Sequence, residues 1–143
     1  MENLNIDDGT KRIMINDDPT RVIEFNPSDV VWVEKFQGLR KDFAIKELEF
    51  KKRCDEVDSC TDVDENGIPI NFEARVALLR EVCEFIREKI DQLFGVGASK
   101  RAFGDTLNLD MFEQFFNGIT PFIQAARNKK MAAYINENSK VMK

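Results

Sequence analysis

Residues 72–94 read FEARVALLREVCEFIREKIDQLF. Phe72, Val76, Leu79, Cys83, Ile86, Ile90 and Leu93 recur there at spacings of 4, 3, 4, 3, 4 and 3. That period places them on one face of a helix, so the stretch predicts a helix over 72–94. A seam this regular suits antiparallel packing against a second helix. Residues 29–57 supply it: Trp32, Phe36, Leu39, Phe43 and Phe50 trace a second stripe. Asp42–Lys46, Glu47–Lys51 and Glu49–Arg53 are i,i+4 pairs with the acid on the N-terminal side, the orientation that supports an exposed helical face. Gly38 interrupts this helix at a cost of about 1 kcal/mol relative to alanine, which a close helix contact would explain. Asn26-Pro27-Ser28-Asp29 stops the preceding segment and caps the helix.

Before that cap, Lys11–Asn16 and Arg21–Phe25 read as short strands. Asp17-Asp18-Pro19-Thr20 carries turn chemistry between them. A two-stranded hairpin over 6–26 is marginal alone, so it must pack on the helices or on another copy. After residue 94, Gly95 and Gly97 stop the second helix, and residues 98–103 predict a short helical turn closed by Gly104. The last block, 109–136, predicts a helix that Gly118 and Pro121 interrupt. Thr120-Pro121 resembles a cap and first-turn proline, so a kink or a junction of two helices is expected there. Residues 137–143 read as a frayed tail. The architecture expected is mainly α: an N-terminal β-hairpin, then a bundle of three to four helices, in one domain of residues 1–143.

Composition narrows the function. A hydrophobic share of 43% suffices for a core at this length, and the net charge is −5. An acidic balance argues against a nucleic-acid partner. No apolar run approaches the ~18 residues of a spanning helix, so no membrane partner is expected. The first residues, MENLNIDDG, hold no signal core. Three cysteines without a C-x-x-C pair then indicate a cytosolic chain with free thiols, Cys83 in the core. Charge is uneven: Asp55, Glu56, Asp58, Asp62, Asp64 and Glu65 crowd residues 55–65, whereas Arg127, Lys129, Lys130, Lys140 and Lys143 face only Glu137 in the last twenty. Such polarity allows head-to-tail self-association, although a solvated loop and a basic helix end are the commoner meaning.

Little points to catalysis. The chain has no histidine, which removes the commonest general base and transition-metal ligand. No glycine loop cradles phosphate, no spacing pairs carboxylates in a cleft, and no cofactor is implied. One metal motif exists: residues 62–73, DVDENGIPINFE, fit the twelve-residue calcium loop. Asp62, Asp64 and Asn66 would give side-chain oxygens, Ile68 its carbonyl and Glu73 a bidentate cap. Against it stand Pro69 at the position of the pairing strand, a poor entering helix and the lack of a second loop. An acidic turn with Asn66-Gly67 at its tip is the favoured reading.

Half of the twelve phenylalanines fall between Phe94 and Phe122. Aromatic residues at helical spacing usually form core, yet Phe103, Met111, Phe112, Phe115, Phe116 and Phe122 point in too many directions for one small bundle to bury. The excess predicts a surface for self-association or for an apolar partner helix.

The order of blocks is itself informative. RVIEFNPSDVVWVEKF at 21–36, DENGIP at 64–69 and LFGVGASKRAFGDTLNLDMFEQFFNGITPFI at 93–123 resemble the tail assembly chaperones of bacteriophages and prophages of Gram-positive bacteria. The likeness extends from about Ile6 to Tyr134. It implies a non-enzymatic protein of the host cytoplasm that binds the tape measure protein, keeps it soluble and helps tail tube protein assemble around it. It carries no catalytic motif and does not identify contact positions. A structural tail component, of completion or connector type, is the alternative, and a calcium-binding module a more distant one.

Overall fold

A computed structural model describes the backbone of residues 1–141 and the side chains of residues 1–126. Strands β1 (Lys11–Ile15) and β2 (Asp18–Phe25) form an antiparallel hairpin. Four helices follow: α1 (Val30–Asp58), α2 (Phe72–Phe94), α3 (Ala98–Phe103) and α4 (Leu109–Val141). The expected class, a β-hairpin followed by helices, is the one observed.

The hairpin turns earlier than expected. Asn16 and Asp17, with φ of 53° and 59°, make a two-residue connection. Asn and Asp tolerate this left-handed backbone, which matches the twist of paired strands. Asp18, Pro19 and Thr20 belong to β2, where the pairing slips between Met14 and Ile15. Pro19 has no N–H to offer and sits in the slipped stretch. Asp18 closes it by accepting from the Thr20 hydroxyl at 2.7 Å and the Thr20 amide at 2.9 Å.

The helix starts follow local chemistry. Asp29 caps α1 by accepting the Val31 amide at 2.9 Å. Gly9, at φ +84°, lies so close to this corner that a Cβ there would fall 2.8 Å from Ser28. Gly38 has no such role, since a Cβ would meet nothing within 4 Å. The close contact expected there is absent. Gly95 adopts φ 102° just after α2 and donates its amide to the Asp91 carbonyl at 2.9 Å.

The antiparallel α1–α2 pair uses a different face of α2 from the one expected. Phe43 and Phe50 of α1 meet Phe85 edge-on at 5.6 and 5.8 Å. Phe50 and Leu78 are buried at this level. The regular seam instead divides. Cys83, Ile90 and Leu93 enter the main core with Ile23, Phe103, Phe112, Ile119 and Ile123. Phe72, Val76 and Leu79 remain exposed. A period shows that residues share a face, not which neighbour covers it.

Ring contacts orient α4. Phe112 meets Phe103 at 4.8 Å, Phe115 meets Phe94 at 5.3 Å and Phe116 meets Phe43 at 5.9 Å. Phe43 lies against Phe85, about 13 Å along α2 from Phe94 at helical rise. These contacts set the start of α4 against α3, the end of α2 and the middle of α1. Pro121 lies inside α4, whose helical assignment continues across it to Val141. The expected junction of two helices is not formed, and helix covers most of the stretch expected as a frayed tail. Met142 and Lys143 lie outside the described residues. Pro121 removes one backbone bond, and the adjacent Thr120 hydroxyl donates to the Phe116 carbonyl at 2.7 Å.

Two arginines fasten the hairpin to α3. Arg21 donates to the Arg101 and Ala102 carbonyls at 2.7 and 2.6 Å, and Arg101 returns a bond to the Val22 carbonyl at 3.0 Å. The hairpin thus packs within its own chain, at the end of α3 where carbonyls lack helical partners.

The three cysteines are free. Burial pushes the Cys83 thiol up, and Cys83 has no exposed surface. A thiol-titrating reagent will modify Cys54 rapidly, Cys60 more slowly and Cys83 only as the protein unfolds. Equal reaction of all three in the native protein would contradict this core.

Candidate functional site

The aromatic cluster expected to meet a partner is largely interior. Phe103, Phe112 and Phe115 are 5%, 2% and 7% exposed. Met111 and Phe116 are half-buried against the same core. Phe122 alone among the six lies open, at 43%. The bundle hides these rings because hairpin, α1, α2 and α3 all converge on the start of α4. Edge-to-face contacts, Phe103–Phe115 at 5.4 Å and Phe115–Phe116 at 5.6 Å, let rings of differing direction share one volume.

The open apolar surface lies elsewhere. Phe72, Val76 and Leu79 are 52%, 47% and 48% exposed. They extend the face of α2 that carries Cys83, Ile86 and Ile90 into the core. The loop before them adds exposed Ile68 and Ile70. On α1, exposed Ile45 and Leu48 lie away from the side that meets α2. The α2 stripe is the better candidate for a partner helix, because its residues stand one helical turn apart and adjoin a rigid core.

Polar contacts hold this end of the α1–α2 pair. Arg53 donates from both terminal nitrogens to the two Glu81 oxygens, each at 2.7 Å. This fork ties α1 to α2. Arg75 closes the turn below it. Its guanidinium donates to Asn71 at 2.9 Å, Asp58 at 2.8 Å, and the Val57 and Cys60 carbonyls at 3.1 and 2.8 Å. Asn71 adds a bond to the Val57 carbonyl at 2.9 Å. Together they satisfy carbonyls at the end of α1, whose last turn holds no basic residue of its own. The sequence offered only an Asn and an Arg four residues apart, a spacing found on many solvated faces. The pairs expected within α1 do not form as anticipated: Lys46 bonds Glu49 at 3.0 Å, and Asp42 reaches across to Lys89 at 3.5 Å.

The acidic loop is a small turn. Asp64 and Ile68 bond through the Asp64 amide at 2.7 Å, and the Ile70 amide reaches the Asp62 carbonyl at 3.1 Å. Val63 and Pro69 form the bridge, for which Pro69 needs no N–H. Asp64 spends one carboxylate oxygen on the amides of Asn66 and Ile68, at 2.8 and 3.0 Å. Among the described residues, no group of three or more histidine, cysteine, aspartate or glutamate side chains is arranged to hold a metal ion. Among the same residues, no buried side-chain polar atom lacks a partner and no helix is long and apolar enough to cross a membrane.

A family model, described as a family of unknown function (DUF6673), matches residues 20–141. The chain belongs to that family. The match takes in β2 from Thr20 onward and all four helices, and so includes the α2 stripe, the Arg53–Glu81 fork and the Arg75 turn. No curated protein and no solved structure matches the chain.

Two measurements separate core from face. Phe112→Ala should cost about 3–5 kcal/mol in denaturant unfolding, as for a buried ring, whereas Val76→Ser should stay within about 0.5 kcal/mol. Equal losses would mean that the α2 stripe is buried.

The fork carries a pH signature. Hydrogen bonds from Arg53 hold the Glu81 carboxyl below its ordinary 4.5. A lowered folded pKa gives stabilisation that is complete above the unfolded value and lost as pH falls through the folded one. Glu81→Gln should therefore be less stable than the parent at neutral pH, and the gap should close as pH falls below 4.5. A gap unchanged down to strong acid would deny the pair any role.

Proposed function

We propose that this protein is a non-enzymatic assembly chaperone of phage tails that binds the tape measure protein before the tail tube forms around it. Two lines support the reading: the resemblance carried by residues 21–36, 64–69 and 93–123, and the exposed stripe of Phe72, Val76 and Leu79. The stripe carries the most weight. An apolar helix can lay its own stripe against these residues without a strict sequence match, since burial contributes roughly 25 cal/mol per Å² whatever the side chains.

The physical task fits such a surface. A tape measure exposes long apolar helical faces until the tube covers them. Each chaperone copy needs only a modest contact, because many copies along one rod act together. A net charge of −5 keeps the coated rod dispersed. The same reading puts the protein in the bacterial cytoplasm, next to tail tube protein. It leaves the rod when the tube replaces it.

Co-expression with the tape measure encoded beside it tests this. The tape measure should become soluble and co-purify, and Val76→Asp with Leu79→Asp should abolish capture while the fold is retained by circular dichroism. An insoluble tape measure with the unmodified chain would end the proposal. Mass spectrometry of finished particles supplies the other arm: stoichiometric presence there would make the protein a structural tail subunit instead.

A further inference from the structure

The residues before β1 form an arm whose apolar side chains lie in water. Leu4 and Ile6 are 81% and 80% exposed. The base of the arm is fixed: Asn26 donates to the Asp8 carbonyl at 2.7 Å, and the Asp7 and Asp8 carboxylates accept the Gly9 and Thr10 amides at 2.9 and 3.0 Å. With Gly9 packed against Ser28, the chain leaves β1 toward the start of α1 and does not fold back along its own strand. The outer edge of β1 is therefore open. Its one strand partner is β2, and among the described residues no backbone group of β1 bonds outside the hairpin. Such an edge is a template for another strand. Beside its end lies a cavity of about 270 Å³, lined by Met14, Ile15, Phe103, Met111 and Phe115 among others.

We propose that residues 2–7 of one copy add to β1 of a second copy as an antiparallel strand. Length, pattern and charge support this pairing. Residues 2–7 span ~20 Å when extended, and the 5 residues of β1 span ~17 Å. Setting Ile6 opposite Ile13 places Leu4 opposite Ile15, so both aliphatic side chains join the face of β1 that packs on the core. Leu4 then stands at the mouth of the cavity. The same register sets Asp7 opposite Arg12 and Asp8 opposite Lys11, acid against base, while Asn5 lies opposite the exposed Met14. A parallel pairing on the same face would carry Asp7 to the tip of the hairpin, away from both cations. Arg12 keeps its terminal nitrogens for Asp7, since its bond to Glu24 at 3.2 Å uses Nε. Backbone bonds and charge thus set the direction, and the two aliphatic side chains gain by burial. The exchange covers the open edge and needs no tape measure partner.

Sedimentation of the full chain tests the exchange. The parent should sediment as a dimer or a larger assembly. Leu4→Asp with Ile6→Asp should lower the association constant about a hundredfold and leave the circular dichroism spectrum unchanged, because both residues are exposed in the single copy. A monomeric parent would overturn the proposal, and so would a variant that assembles as tightly as the parent. Disulfide trapping reads the register. In a Cys54→Ser, Cys60→Ser background, where the buried Cys83 stays unreactive, chains carrying Asn5→Cys are mixed with chains carrying Met14→Cys under mild oxidation. The mixed disulfide should form well ahead of either like pair. Mixed and like disulfides in statistical proportion would overturn the pairing of arm with β1 and assign any assembly to another face.

Discussion

The fold is organised around the indole of Trp32. Its Nε1 donates to the Leu93 carbonyl at 3.0 Å, in the last turn of α2 where helical partners run out. Its ring lies 5.4 Å from Phe25 at the end of β2, 5.7 Å from Phe94 and 5.6 Å from Phe36, stacked on the last. One side chain thus joins the hairpin, the start of α1 and the end of α2. Phe94 passes the contact on to Phe115, which positions α4. A buried indole N–H needs a partner, and the Leu93 carbonyl that supplies it ties the start of α1 to the end of α2. The hairpin gains from the same node, because Phe25 gives a marginal pair of strands an apolar floor.

From that node the molecule changes character along its length. Near Trp32 the helices are joined by rings and by buried alanines such as Ala98 and Ala102. At the far end the joints are the Arg53–Glu81 fork and the Arg75 turn, all partly exposed. Exposed ion pairs contribute little each, but they hold a fixed geometry without consuming apolar surface. This arrangement leaves the stripe of α2 open between a rigid floor and a polar rim. Lys46 and Lys89 show the same economy: each ammonium lies over the Phe85 ring, at 5.8 and 5.5 Å, shielding it from solvent.

Helix positions were legible in the sequence because period and punctuation agreed. The bounds of α2 and α3 match the expectation, and α1 differs by one residue at each end. What failed was the assignment of partners. The seam of α2 has a period that any neighbour could satisfy, and the rings of α1 meet α2 at Phe85, off that seam. The ring cluster failed for a related reason. Counting directions around α4 assumes one wall, whereas four elements supply walls to it. At Pro121 a kink or a junction of two helices was expected, and α4 runs through it, since a helix tolerates the loss of one backbone bond. The turn at Asn16-Asp17 uses two residues suited to positive φ, whereas turn chemistry over residues 17–20 places it later in the chain. Arg21, Arg75 and Arg101 left no signal, because an arginine that reaches a distant carbonyl looks like one in water.

The candidate site follows from the same distinction. The rings expected to lie open are mostly buried, and exposed apolar residues lie on α2 instead. Folding buried Phe103, Phe112 and Phe115 and left Phe72, Val76 and Leu79 open on a face that begins inside the core. A surface that continues a core differs from scattered exposed side chains, because its backbone is already fixed by the buried half. A helix docking there need order only itself, which lowers the entropic cost of association. The face also continues the row whose upper members, Cys83 and Ile90, are buried in the core, so whatever covers it extends a surface that the fold has already fixed.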